Sequence, residues 1–208
     1  MEAKGDRKKW AWALLAEAFG TAFLALGVNW RGVGNGAPVA VGLALFMALE
    51  VLGPIGGGQF NPAVTLALIA KCNQNETGMS LAFGLLTILA QLIGATLGCV
   101  GSLAALQLGP LKATGAPGAG SRLVPQLCPV AGCNDGGGVM FQVVLVETAM
   151  TFIFVALVLQ VQRHNGARDA PVNAVAIGAG LYVCCQTAAG ISGGCLNPAI
   201  GLVQPFFQ

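Results

Sequence analysis

The chain has 208 residues, of which 55% are hydrophobic and 9% charged, with a net charge of +2. An ordinary soluble domain carries roughly 25% charged residues, so this composition describes a chain solvated by lipid rather than water. The charge is too small and too scattered to suggest a nucleic-acid partner, and no Cys/His spacing reads as a zinc site.

Lys4, Arg7, Lys8 and Lys9 precede an apolar run from Trp10 to Val28, read as span 1. It is too long for a signal-peptide core and it carries Glu17. Span 2 covers about Ala37 to Gly53 and leads into GGGQFNPAVTLALIA, Gly56 to Ala70. Within it Asn61, Pro62 and Ala63 mark a helix start, because Asn is a preferred N-cap and Pro is tolerated at the first helical position. From Asn61 to Ala70 such a helix rises about 15 Å, half of a ~30 Å hydrocarbon layer. Span 3 runs from Met79 to about Leu108.

A Gly/Pro-rich connection, residues 109–138, separates the halves on the extracellular or luminal side. Span 4 covers about Val139 to Val161 and contains Glu147. Span 5 covers about Val172 to Thr187, and GISGGCLNPAIGL then repeats the triplet as Asn197, Pro198 and Ala199. Pro205 should end or kink this second half-helix.

The order recurs. Glu17 and Glu147 each head a path through one further span to an Asn-Pro-Ala triplet, and an odd number of full spans separates the copies. Residues 1–108 thus form a first repeat and 139–208 a truncated second one, inverted across the membrane. Interrupted helices at membrane depth survive only inside protein or along a wet cavity, so two of them imply a pore or binding site where Asn61 and Asn197 meet. Symmetry also asks for a sixth span after the second half-helix. A sequence that stops short of it is favoured over a natural five-span channel, with a separate chain filling the gap as the remaining option. The basic residues place Lys4, Arg7, Lys8, Lys9, Lys71, Arg163 and Arg168 on one face, which the positive-inside rule makes cytoplasmic together with the N-terminus.

NPAVT at Asn61, NPA at Asn197, the AE-x-x-GT pattern at Glu17, AQLIGA at Gln91 and the Glu147 copy together resemble the aquaporin, or major intrinsic protein, family. The resemblance implies an all-α, inverted-repeat helical bundle with two half-helices, a pore in each protomer, a homotetramer, and passive flow of water or small neutral solutes. The residues themselves show no nucleophile, base or metal constellation at compatible spacing, so no enzyme, metal or cofactor is expected. The residues agree on mechanism: each asparagine can cap its helix through its side-chain oxygen while its NH₂ donates into the channel. Two helix N-termini of about +0.5 charge repel a cation ~5 Å away by about 3 kcal/mol at an effective dielectric near 20.

The filter departs from the family pattern. Where relatives usually carry arginine after the second triplet, Ile200 stands here, and matching offsets put the other filter positions at Val41, Cys185 and Gly194. All four are small or apolar, which implies a wide apolar constriction. Gly201 replaces the aspartate of glycerol channels, and Gln59 replaces a histidine common before the first triplet. Glu17 and Glu147 are read as acceptors for the bent backbone before each half-helix, with a proton relay as the alternative. Cys128 and Cys133 could pair if the outer face is oxidising.

Two other classes stand beside the channel. A secondary transporter also uses inverted repeats, but would need more substrate-pairing groups at the midplane. A channel-like structural or assembly subunit with little conduction is the alternative that Ile200 and the missing span favour.

Overall fold

The computed structural model describes residues 2–30, 37–72, 79–108, 136–165 and 171–207, and all regular structure among them is helical. Five long helices are α1 (Glu2–Trp30), α2 (Ala37–Gly56), α4 (Leu81–Leu108), α5 (Gly136–Asn165) and α6 (Pro171–Ala188). Each contains a stretch long and apolar enough to cross a membrane. Two short helices interrupt the pattern, α3 (Pro62–Cys72) and α7 (Pro198–Val203). The connecting segment with Cys128 and Cys133, and Arg31, Lys112, Arg122 and Arg168, lie outside the described residues.

Burial is the reverse of a water-soluble protein. Glu17, Thr21, Gln59, Asn61, Thr65 and Gln91 are buried, whereas Trp12, Phe19, Val51 and Phe152 are exposed. Apolar side chains on the outside meet lipid without penalty, while inward polar groups find partners in the bundle.

Small residues set how closely the helices approach. At the α2/α6 crossing, a Cβ on Gly42 would lie 2.6 Å from the Gly178 carbonyl oxygen, and one on Gly178 would lie 2.6 Å from that of Gly42. Where α1 meets α4, a Cβ on Gly98 would lie 2.6 Å from the Ala22 carbonyl oxygen, and one on Gly94 would overlap that of Ala18. Without a hydrophobic drive between helices in lipid, such backbone contact supplies much of the association.

One constant sequence offset relates Gly42 to Gly178, Gly57 to Gly193, Gly58 to Gly194, Phe60 to Leu196 and Asn61 to Asn197. Both members of each glycine pair in the connecting turns have positive φ, as do Phe60 (50°) and Leu196 (49°). The two turns before the short helices are therefore built alike.

The likeness stops at the flanks. In the first half, α4 packs against both α1 and α3. No sixth long apolar helix is present among the described residues, and the apolar stretch of α5 is only 17% buried against 44% for those of α1 and α4. A groove of about 530 Å³ opens there, lined by Glu147, Thr148, Thr151, Leu196 and Asn197 among others. The second short helix also ends early: α7 gives way after Val203 to a 3-10 turn, Gln204–Phe207. Pro205 lies inside that turn, and without an N–H it cannot extend the α-helical ladder.

The crossing supports a direct test. Gly42→Ala must push α2 from α6, so it should lower stability by about 1–3 kcal/mol. A Cβ at Gly53 meets nothing within 4 Å, so Gly53→Ala should stay within about 1 kcal/mol of the parent. Thermal unfolding of detergent-solubilised protein compares the two.

Candidate functional site

Each turn before a short helix runs Gly-Gly-X-X-Asn, and two successive glycines take up the positive φ angles that bend the chain inward. The residue just before each asparagine, Phe60 or Leu196, is left-handed although it carries a bulky side chain. Such a conformation costs of order 1–3 kcal/mol and persists only where its surroundings fix it. A carboxylate does so in both halves. Glu17 accepts from the backbone N–H of Gln59 at 2.8 Å and of Phe60 at 2.7 Å, and from Gln91 Nε2 at 2.9 Å. Glu147 accepts from the N–H of Cys195 at 3.0 Å and of Leu196 at 2.9 Å, and from the Ser192 hydroxyl. Gly20 makes room for the first turn, since a Cβ there would overlap the Phe60 ring.

With the turns held, the asparagines cap their helices. Asn61 Oδ1 accepts from the Ala63 N–H at 2.9 Å, and Asn197 Oδ1 from the Ala199 N–H at 3.1 Å. Pro62 and Pro198 occupy the first helical positions. Each amide nitrogen then crosses to the other half: Asn61 Nδ2 donates to the Leu196 carbonyl at 2.9 Å, and Asn197 Nδ2 to the Phe60 carbonyl at 2.8 Å. The left-handed residues thus aim their carbonyls at the opposite asparagine. Reading the residues alone assigned those NH₂ groups to the channel and missed this crossed pair. No sequence signal marks it, because the acceptors are main-chain atoms.

One N–H of each asparagine remains. Both residues line a cavity of about 20 Å³, together with Gln59 and the apolar Val41, Phe154 and Ile200 among others. That is room for about one water centre. The sequence-derived filter positions divide here. Val41 and Ile200 are on the wall, whereas Cys185 and Gly194 are not among its lining residues. Those two pack on each other so closely that a Cβ on Gly194 would lie 2.5 Å from the Cys185 carbonyl oxygen. Cys185 is 2% exposed.

Two mirrored short helices, meeting cap to cap inside a bundle of membrane-length helices, define a membrane channel architecture. The chain belongs to the major intrinsic protein family, whose pattern matches residues 7–207; these proteins are channels rather than enzymes. It is 32% identical over 198 residues to a glycerol uptake facilitator protein-like 6 of Lactiplantibacillus plantarum, covering 93% of this chain and 82% of that protein. It is 33% identical over 163 residues to aquaporin-5 of Sus scrofa, covering 77% of this chain and 53% of the relative, so the match spans about half of that protein. Among solved structures, the aquaglyceroporin of Plasmodium falciparum superposes with a TM-score of 0.65 at 20% identity, covering 95% of this chain and 80% of that one, a likeness of fold.

Removing either carboxylate strands two backbone donors, at about 1–3 kcal/mol each where buried. Glu17 is 1% exposed and Glu147 borders the open groove. Glu17→Ala should therefore destabilise by about 2 kcal/mol or more, and Glu147→Ala by less, as read by thermal unfolding.

Proposed function

We propose that the chain is a passive channel for water, and secondarily for other small neutral solutes, with the passage running between Asn61 and Asn197. The observation that carries this reading is the cavity of about 20 Å³ bounded by both asparagines and otherwise largely apolar. Each asparagine has one N–H committed to the opposite turn and one left for a passing oxygen. Water suits a space of that size best. A larger solute must displace the side chains around Ile200, which no hydrogen bond fixes as it would a guanidinium.

Ile200 in place of the family's filter arginine supports an apolar outer constriction that widens easily, so discrimination among small neutral solutes is weak. Cation exclusion then rests on dehydration and on the helix ends at Asn61 and Asn197. With six residues, α7 supplies less than the full half-charge of a long helix. The N-terminus is assigned to the cytoplasm by the positive-inside rule, the two repeats to residues 1–108 and 139–208, and a homotetramer by the family resemblance.

A second reading, a channel-like assembly subunit with little conduction, draws support from the groove of about 530 Å³ that reaches Asn197 from the side. Osmotic shrinkage of proteoliposomes containing the full chain separates the two. The channel reading expects water flux well above protein-free liposomes without added potassium leak. Shrinkage no faster than the protein-free rate favours the assembly subunit. Ile200→Arg adds an interaction of about 3 kcal/mol against cations at ~5 Å and fills the passage. It should cut urea and glycerol flux more than water flux; an unchanged solute ratio contradicts the filter assignment.

A further inference from the structure

Gln59 occupies the turn before the first asparagine, 3% exposed, and lines the same cavity as Asn61 and Asn197. Its Oε1 accepts from the Thr65 hydroxyl at 2.7 Å. Its Nε2 is buried and has no hydrogen-bond partner among the described residues. A buried amide donor left unmade costs about 1–3 kcal/mol, and a native protein rarely leaves it so without a water or ligand.

The direction of that amide is fixed from a distance. Gln91 Nε2 donates to the Glu17 carboxylate at 2.9 Å and to Thr65 Oγ1 at 3.0 Å. Both Glu17 oxygens act as acceptors, so the side chain holds the NH₂ of Gln91 toward itself, and the second N–H of that group occupies a lone pair of Thr65. The Thr65 proton must then go to an acceptor. Gln59 Oε1 is the nearest, with the Asn61 carbonyl at 3.2 Å and Gln91 Oε1 at 3.3 Å. With its oxygen engaged by Thr65, Gln59 has its NH₂ left unmade in a residue that lines the cavity.

We infer that Gln59 is a third hydrogen-bond donor at the pore cavity, oriented by the chain Glu17–Gln91–Thr65, and that it shares with Asn61 and Asn197 the lone pairs of the water or small neutral solute held there. The unmade N–H groups of these three amides demand lone pairs and offer none, so the station takes a neutral oxygen and repels a cation. Cys195 is the counterpart in the second half, so the station is lopsided toward the first. Gln59 and Thr65 thus determine specificity by position, an assignment that rests on the channel reading for its role in flux but not for its occupancy.

Two readouts on the full chain in lipid test this. An experimental structure at high resolution should show an ordered oxygen within about 3.2 Å of Gln59 Nε2, lost in Gln59→Leu and shifted or lost in the near-isosteric Thr65→Val. In proteoliposomes both variants should lower water flux per protein by about threefold or more, the scale of one lost hydrogen bond. Thr65→Ser, which keeps the hydroxyl, should recover most of it. Thr65 is not on the cavity wall, so a loss in Thr65→Val reports the orientation of Gln59 rather than the width of the passage. A wild-type cavity without an oxygen at Gln59 overturns the inference whatever the flux. Unchanged flux in both variants of a conducting wild type overturns the specificity role. An ordered oxygen in a protein that does not conduct upholds the binding site and removes the channel reading instead.

Discussion

The structure depends on two carboxylates that lie inside the membrane and hold bent backbone. Glu17 and Glu147 each accept from two consecutive N–H groups, and those groups belong to a turn whose last residue is left-handed without being glycine. Backbone that is not helical cannot remain unsatisfied at this depth. A carboxylate solves this in each half, since one side chain satisfies two donors and fixes the left-handed residue whose own carbonyl then faces the opposite asparagine. Everything at the site follows from that fixation: the cap, the proline at the helix start, and the reciprocal bonds from Asn61 and Asn197 to the opposite turns.

The two halves solve the same problem with different surroundings. Around Glu17 the third partner is a side chain of α4, Gln91, and behind it stand Thr65 and Gln59. Around Glu147 the third partner comes from its own turn, Ser192, and a groove lies alongside. The buried polar network is therefore one-sided. An asymmetric set of polar partners around a nearly symmetric pair of asparagines distinguishes the two halves, even though their turns share one backbone plan.

Much of this was legible in the sequence. Paired Asn-Pro-Ala triplets in apolar surroundings located both short helices to within a residue or two, because capping and proline chemistry act locally. Hydropathy located the five long helices for the same reason. The four positions matched to a filter by their offsets do not all reach this one cavity. Val41 and Ile200 line the cavity, while Cys185 and Gly194 face each other, and only the packing of a turn against α6 decides that. The crossed bonds were illegible, since main-chain carbonyls leave no residue signature. Gln59 stood out only as a departure from a family pattern, and its orientation is set by residues on three helices, α1, α3 and α4.

The central claim is that the two short helices meet cap to cap within the membrane, each asparagine bonded to the opposite turn. Solid-state magnetic resonance on labelled full chain in lipid bilayers measures this most directly, as through-space coupling between the side-chain nitrogen of Asn61 and the carbonyl of Leu196, and between that of Asn197 and Phe60. Nitrogen-to-oxygen separations of 2.9 and 2.8 Å predict strong transfer across both pairs. Absence of transfer in both would contradict the account.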